Sequence, residues 1–189
     1  MRRPITAELF VSLDLVVAEP QTWHLPWVDE AMLSEVAREQ DTSTVLLGRR
    51  TYDVFASSWP GRGDDVPLAA QLNAMTKVVV SDRITDAEAS WAPTTVLRPG
   101  GDLTAAVASL DELGDDRVTV AGSVSLVEQL LALGLLTELR LVVHPLVLGT
   151  GRRLFDGWAA GGVELTLAGS TPLGRGARLD VYQPITIAA

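Results

Sequence analysis

The 189 residues are 47% apolar and 21% charged, a composition that is typical of a folded globular domain rather than a disordered chain. Acidic residues number 24 and basic residues 15, and the resulting net charge of −9 would repel the phosphate backbone of a nucleic acid. The lack of cysteine excludes disulfides and thiolate zinc sites and suits a cytoplasmic protein. We find no signal-peptide pattern and no apolar run of membrane-spanning length, so we expect no membrane partner.

The first half of the chain alternates predicted strands and helices. A long loop, residues 12–27, follows the first strand and contains Trp23 and Trp27. Apolar runs indicate the strands, and helical spacing of apolar residues indicates the helices. In chain order the sequence predicts a strand at Ile5–Val11, a helix at Asp29–Gln40, a strand at Thr44–Leu47, a helix at Arg49–Ser57, a short helix at Val66–Ala74 and a strand at Lys77–Ser81.

The second half continues the alternation and ends in two strands of antiparallel appearance. Several strands are apolar on both faces, as parallel strands covered by helices should be. The predicted elements are a strand at Thr94–Leu97, a helix capped by Asp102 and ending at Leu110, a strand at Arg117–Ala121, a helix at Leu126–Leu133, a strand at Glu138–Leu148 interrupted at His144-Pro145, and strands near 162–169 and 176–184.

At Val45–Tyr52 a predicted strand is followed directly by a glycine and then by a predicted helix. The first turn of a helix has unpaired N–H groups and a partial positive charge, and Gly48 would let an anion approach them closely. Thr51 adds a hydroxyl donor, and Arg49 or Arg50 adds a guanidinium that can hold a phosphate. The same residues are also compatible with a simple turn followed by solvated arginines.

A second junction of this kind lies at Val118–Leu126, where Gly122 and Ser123 follow a strand. Ser125 and Glu128 match a capping box, so the serines could simply cap the helix. Ligands of open α/β sheets lie beyond the carboxyl ends of the strands, and two such junctions in one sheet could therefore hold a pyrophosphate between them. The sequence contains neither a G-x-G-x-x-G fingerprint nor the G-K-[ST] of a P-loop.

Five short motifs follow one another along the chain: Ser12–Asp14 (SLD), Leu47–Tyr52 (LGRRTY), Val79–Ser81 (VVS), Ala121–Ser123 (AGS) and His144–Phe155 (HPLVLGTGRRLF). In this order and spacing they resemble the dihydrofolate reductase-like family, and within it the C-terminal reductase domain of the riboflavin-biosynthesis deaminase–reductase. The resemblance covers nearly the whole chain. It implies one α/β domain over residues 1–189, with a three-layer fold in which a mixed, mainly parallel sheet has helices on both faces and antiparallel C-terminal strands.

The resemblance also implies that NADPH is the hydride donor, and it assigns residues to the cofactor. The pyrophosphate and the 2′-phosphate would lie against Gly48–Thr51, with Arg49 as the first choice for the 2′-phosphate and Arg50 as the second. The adenosine end would lie beside Ser81 and Arg83. The remaining contacts would come from Gly122, Ser123 and Val124 on the other side of the pyrophosphate and from the backbone of Phe10 and Val11 near the nicotinamide.

The substrate side departs from the family pattern. Riboflavin-type reductases commonly continue Ser-Leu-Asp with Gly-Lys, whereas Leu15 and Val16 stand at these positions. Dihydrofolate reductases bind the pterin through an acidic residue early in the first helix. Asp29 and Glu30 lie near that place, but their spacing to Gly48 differs. No zinc signature of a deaminase half is present.

Three carboxylates are the candidate catalytic residues. Asp14 either lies at the mouth of the active site or anchors a turn after the first strand. Asp29 and Glu30 are candidate proton sources, although Asp29 is also placed to be the N-cap of a helix. The histidines, His24 and His144, are too few and too far apart for a metal site, so we predict none.

Three further segments leave two interpretations open. Trp23 and Trp27 either cover a substrate as a lid or pack their loop onto the core. Gly149–Arg153 either binds a substrate phosphate through Arg152 or forms a hairpin turn. The apolar run Leu139–Leu148 is either a buried strand or partly a dimer interface, and the resemblance favours a homodimer.

The sequence therefore supports two functions of different classes. The first is an NADPH-dependent reductase that acts on a small heterocyclic substrate, similar either to 5-amino-6-(5-phosphoribosylamino)uracil or to a pterin. The second is a non-catalytic nucleotide-binding or dimeric scaffold domain that has kept the fold, because a fold alone does not determine function. The nucleotide-binding part of both hypotheses requires the glycines Gly48 and Gly122 to lie together at one edge of the sheet.

Overall fold

The computed structural model describes residues 4–39, 44–63, 66, 68–110, 117–159 and 161–185. The strands are β1 (Ile5–Ser12), β2 (Thr44–Gly48), β3 (Thr76–Val80), β4 (Thr94–Leu97), β5 (Val118–Ala121), β6 (Glu138–His144), β7 (Leu165–Pro172) and β8 (Arg178–Pro184). The helices are α1 (Glu30–Glu39), α2 (Arg49–Ser58), α3 (Ala69–Ala74), α4 (Leu103–Ala108) and α5 (Val124–Ala132). Short 3-10 turns occur at Pro20–Thr22, Leu25–Trp27 and Gly174–Gly176.

All these strands form one sheet in the order β4-β3-β2-β5-β1-β6-β8-β7. Neighbours from β4 through β6 pair in parallel. β8 is antiparallel to β6, and β7 is antiparallel to β8. The mainly parallel sheet with antiparallel C-terminal strands is therefore confirmed. Within the described ranges, no helix is long and apolar enough to cross a membrane.

Helices cover both faces of the sheet. Successive strand residues point to opposite faces, so Leu46 packs with the residues of α4 and α5, whereas Val45 and Leu47 pack with α2 and α3. On that second face α1 contributes Met32 and Val36, which pack beneath β6 and β8. Burial on both faces explains why the parallel strands are almost continuously apolar.

Two predictions at α5 and β6 are wrong in detail. Ser125 and Glu128 form no capping box, because α5 begins at Val124 and Ser123 occupies the N-cap position without a side-chain cap. The strand predicted over Glu138–Leu148 is interrupted at His144-Pro145 as expected, but it does not resume. It ends at His144, since the following proline has no N–H to extend the ladder.

Of the two interpretations of Gly149–Arg153, the hairpin turn is not found, because β8 separates β6 from β7 in the sheet. The segment instead pairs with the loop after β1, where the Val17 N–H donates to the Arg152 carbonyl at 3.0 Å. Gly151 has a φ of +107°, and a Cβ at this position would lie 2.8 Å from Val16 Cγ1. The glycine thus allows the two loops to approach closely.

Candidate functional site

The two glycine junctions lie in direct contact. β2 and β5 are neighbours, with Leu46 opposite Val120, so the residues that follow both strands meet at the same edge. The Gly48 N–H donates to Ser123 Oγ at 2.7 Å. A Cβ at Gly48 would lie 3.3 Å from the same Oγ. This contact joins the first turn of α2 to the first turn of α5.

The start of α5 has an unusual backbone. Gly122 has a φ of +62°, and Ser123, with a φ of +60° and a ψ of +57°, is also left-handed. That conformation costs a residue with a Cβ about 1–2 kcal/mol, and such strain is concentrated at functional sites. Because Ser123 uses its hydroxyl to bind Gly48, no side chain caps the first N–H groups of α5. They are left for an anion or for water.

β1 extends past the end of β5 and so leaves a gap beside the junctions. Pairing between β1 and β5 ends at Glu8 and Ala121, whereas pairing between β1 and β6 continues to Ser12. The Glu8 carbonyl accepts from the Gly122 N–H at 3.4 Å and therefore faces β5. Strand alternation directs the backbone of Phe10 to the same side, where β5 no longer covers it.

Two of the predicted phosphate ligands differ sharply in their surroundings. The Arg49 guanidinium binds Asp53 at 2.8 Å and Glu88 at 3.1 Å. The pKa of Glu88 is lowered to about 2 by the N–H and hydroxyl of Thr85, and further by Arg49. The neighbouring Arg50 is exposed, and its guanidinium has no hydrogen-bond or ion-pair partner among the described residues.

The predicted adenosine side follows β3, the other neighbour of β2. Val80 lies opposite Gly48, so Ser81 is at the same edge of the sheet as the junctions. Its Oγ accepts from the N–H groups of Arg83 at 3.1 Å and Ile84 at 3.3 Å. Ser81 thus fixes the turn that presents the exposed Arg83 side chain.

Asp14 anchors two loops. Its carboxylate accepts from the Ser12 hydroxyl at 2.7 Å, and from the N–H groups of Leu148 at 3.1 Å and Gly149 at 2.9 Å. Arg153 Nη2 lies 3.4 Å away. These donors, the Ser12 hydroxyl first among them, hold the pKa of Asp14 far below its usual range. The turn-anchoring interpretation of Asp14 therefore has direct structural support.

The other two candidate acids lie at the start of α1. Asp29 Oδ1 accepts from the Met32 N–H at 3.0 Å, which is the geometry of an N-cap. The same carboxylate lies against Gly174 in the turn between β7 and β8, where a Cβ would overlap it. Glu30 is exposed in the first turn of α1.

A cluster of aromatic and histidine side chains, hereafter the histidine cluster, was not predicted as a unit. The His144 ring centroid lies 5.5 Å from Phe10, 5.1 Å from Trp23, and 6.1 Å from both His24 and Trp27. Phe10 stacks on His24 at 4.8 Å. The loop tryptophans therefore pack against the end of β6. Among the described residues, no group of three or more His, Cys, Asp or Glu side chains is arranged to hold a metal ion.

The strand order, the glycine junctions and the antiparallel C-terminal pair define a dihydrofolate reductase-like α/β domain. A family model described as the RibD C-terminal domain matches residues 3–179. The chain therefore belongs to the RibD C-terminal domain family, as the sequence motifs predicted. None of the curated proteins matches the chain.

Solved structures share this fold at low sequence identity. A Shewanella sp. PV-4 protein described as a riboflavin biosynthesis protein has a TM-score of 0.74 and 19% identity, over 96% of this chain and 99% of that one. A pyrimidine reductase-like protein from Corynebacterium diphtheriae has a TM-score of 0.68 and 13% identity, with coverages of 97% and 92%. The Thermotoga maritima diaminohydroxyphosphoribosylaminopyrimidine deaminase/5-amino-6-(5-phosphoribosylamino)uracil reductase has a TM-score of 0.69 and 13% identity. The match covers 97% of this chain but only 57% of that enzyme.

Proposed function

We propose that the protein is an NADPH-dependent reductase of a small heterocyclic compound, similar to 5-amino-6-(5-phosphoribosylamino)uracil or to a pterin. The observation that carries this proposal is the contact between Gly48 and Ser123, which joins two helix starts beside an open strand edge. Membership of the RibD C-terminal domain family supports the same activity, because the description of the Thermotoga protein includes 5-amino-6-(5-phosphoribosylamino)uracil reductase.

The residues of the junctions fit a dinucleotide. N–H groups at the starts of α2 and α5 would hold the pyrophosphate from two sides, from Gly48–Thr51 and from Gly122–Val124. Arg50 fits the 2′-phosphate better than Arg49, because the carboxylates of Asp53 and Glu88 already bind the Arg49 guanidinium. The open backbone edge of β1 at Phe10 would lie beside the nicotinamide, whereas the Val11 carbonyl faces His144.

When bound, NADPH supplies a hydride, and the substrate gains that hydride and a proton as NADP⁺ is formed. The protein positions the two rings and excludes water. Asp14 remains ionised at neutral pH, so it anchors the two loops rather than donating a proton. Asp29, with Glu30 beside it, is the better candidate for the proton route, since it adjoins the loop that carries Trp27.

Substitution of Arg50 by alanine tests the cofactor assignment. Loss of one charge-assisted phosphate contact weakens binding by roughly ten- to a hundredfold. We expect Arg50→Ala to lose this much affinity for NADPH, with little change for NADH, in isothermal titration calorimetry. Arg49→Ala should have a smaller effect, and Arg38→Ala, which removes an exposed side chain on α1, is the control. Equal losses for both cofactors would exclude the 2′-phosphate role.

Oxidation of NADPH, followed by its absorbance with ribosylaminopyrimidine and pterin substrates, tests catalysis. Turnover with one of them is expected. Tight binding of NADPH without turnover of any candidate would instead favour the non-catalytic scaffold function.

We also propose that the protein is a cytoplasmic homodimer. In the described part of the sheet, β7 is one of the two edge strands. Leu167 on it is 53% exposed, and Val163 and Ile185 are also exposed. An uncovered edge of this kind is suited to pairing with a second copy. Light scattering should give a dimer mass that Leu167→Lys shifts towards the monomer, and a monomeric wild type would contradict the proposal.

A further inference from the structure

The histidine cluster contains polar atoms that lack partners. The side chain of His144 is completely buried, and its Nδ1 lies 3.0 Å from the Val142 carbonyl and 3.3 Å from the Val11 carbonyl. Carbonyl oxygens only accept, so Nδ1 carries the proton and Nε2 of the neutral ring is an acceptor. Both that Nε2 and Nδ1 of His24 are buried, and neither has a hydrogen-bond partner among the described residues.

Burial lowers the pKa of both histidines, and for His24 the nearby His144 adds to the effect. Both rings are therefore neutral at neutral pH. The rings packed around them, Phe10, Trp23 and Trp27, are also uncharged. A buried acceptor without a partner is rare in proteins and calls for a ligand or a water molecule.

The elements that carry the cluster also have exposed apolar side chains. Leu13 and Leu15 follow β1, Leu25 lies in the turn that carries Trp27, and Val147 follows β6; these four side chains are 39–70% exposed. Away from a helix start, a phosphate-binding site is expected to contain a free guanidinium or ammonium group.

The arginines near this surface are already engaged. Arg153 binds the carboxylate and the carbonyl of Asp14. Arg178 binds Asp180 at 2.9 Å, and Arg175 donates to the Pro26 carbonyl at 3.1 Å. A phosphate at this surface would have to displace carboxylates from Arg153 and Arg178, and it would compete with the Pro26 carbonyl for Arg175.

Phe10 connects the histidine cluster to the proposed cofactor site. Its backbone faces the gap beside Gly122, and its ring contacts both histidines. A substrate ring that stacks on a nicotinamide in this gap would therefore reach the cluster.

We propose that the histidine cluster is the substrate-ring site and that it selects a planar, uncharged nitrogen heterocycle without a phosphate group. His144 Nε2 accepts a hydrogen bond from a ring N–H or amino group. Because the His144 side chain is completely buried, the turns Pro20–Thr22 and Leu25–Trp27 have to move outward to admit the ring among the aromatic side chains. This inference rests on the proposed reductase function and narrows its substrate to a non-phosphorylated compound.

A matched pair of ligands tests the absence of a phosphate site. The compounds are 5-amino-6-ribosylaminouracil and its 5′-phosphate, with pterin as a third probe, and binding is followed by tryptophan fluorescence with and without NADP⁺. We expect the nucleoside to bind at least as tightly as its phosphate, within about threefold. Phosphate-dependent tightening of about tenfold or more, or no binding of any probe, would overturn the proposal.

A substitution tests the acceptor itself. In His144→Asn the amide N–H₂ can still donate to the Val142 carbonyl, but the atom equivalent to Nε2 is lost. We expect an unchanged circular dichroism spectrum, unchanged NADPH affinity and about tenfold weaker binding of the best probe. Wild-type affinity for the probe would contradict the role of Nε2.

Two further measurements keep the test decisive. If His144→Asn does not fold, the ¹⁵N chemical shift of His144 Nε2 is measured in the wild type with and without the probe. A chemical shift that the probe leaves unchanged would contradict the proposal. The NADPH affinity of the wild type, measured separately, distinguishes failure of the proposed reductase function from failure of the proposed ring site. Loss of cofactor binding with intact probe binding would refute the reductase function and leave the ring site standing.

Discussion

At the scale of single residues, the buried Lys77 shows how the fold accommodates a charge. It is the only lysine and is completely buried. Its Nζ donates to the carbonyls of Asn73 at 2.9 Å, Ala92 at 3.2 Å and Leu72 at 3.4 Å. The Trp91 ring centroid lies 4.5 Å from it. Burial nevertheless lowers the pKa of Lys77 to about 8, from a usual value of 10.5.

This lowered pKa makes stability depend on pH in a defined direction. Between the two pKa values the unfolded chain binds more protons than the folded one, so the free energy of unfolding rises with pH. We expect a rise of about 2 kcal/mol between about pH 8 and 10 in the wild type, relative to Lys77→Met. Urea unfolding at several pH values measures it, and parallel curves for the two proteins would show that Lys77 keeps an ordinary pKa.

At the scale of elements, the sequence predicted local patterns well. β4 has the predicted bounds, and α2 ends one residue later than expected, because apolar runs and helical spacing depend on nearby residues alone. The glycine junctions were predicted for the same reason. The start of α5 was predicted two residues too late, because the left-handed Ser123 is stabilised by Gly48, which is distant in sequence.

The histidine cluster could not be predicted in this way. Phe10 and His144 are far apart in the chain and meet only because β1 and β6 pair in the register that places Ser12 opposite His144. The sequence did contain a signal, since Phe10 and His144 alternate onto the same sheet face once that register is known. Local patterns in a single sequence do not reveal which strands become neighbours in the sheet.

The connection between the loop after β1 and the loop after β6 depends on an ionised Asp14. Because the folded state lowers its pKa, the stability that it contributes is present above the pKa of the unfolded chain and is lost as the pH falls below about 4. In Asp14→Asn this part of the acid sensitivity should disappear. The amide N–H groups of Leu148 and Gly149 should exchange with solvent faster at neutral pH. Unchanged exchange at these two amides would show that the carboxylate does not hold the loops together.

At the scale of the whole molecule, the three layers share one sheet, and the proposed cofactor would contact β1, β2, β3 and β5 at once. A ligand that binds only the folded state at one hundred times its Kd adds about 2.7 kcal/mol to the free energy of unfolding. In a chain of this length we therefore expect NADPH to raise the Tm by about 5–10 °C. Arg50→Ala should show a smaller rise at the same NADPH concentration.

The shape of the same transition tests the prediction of a single domain. If residues 1–189 fold as one unit, scanning calorimetry should show one cooperative transition that moves as a whole when NADPH is added. The β7–β8 pair, which lies at the far edge from β4, should then unfold together with the cofactor-binding strands. Two transitions, of which only one responds to NADPH, would mean that this antiparallel edge is a separate unit and that the cofactor stabilises the parallel part alone.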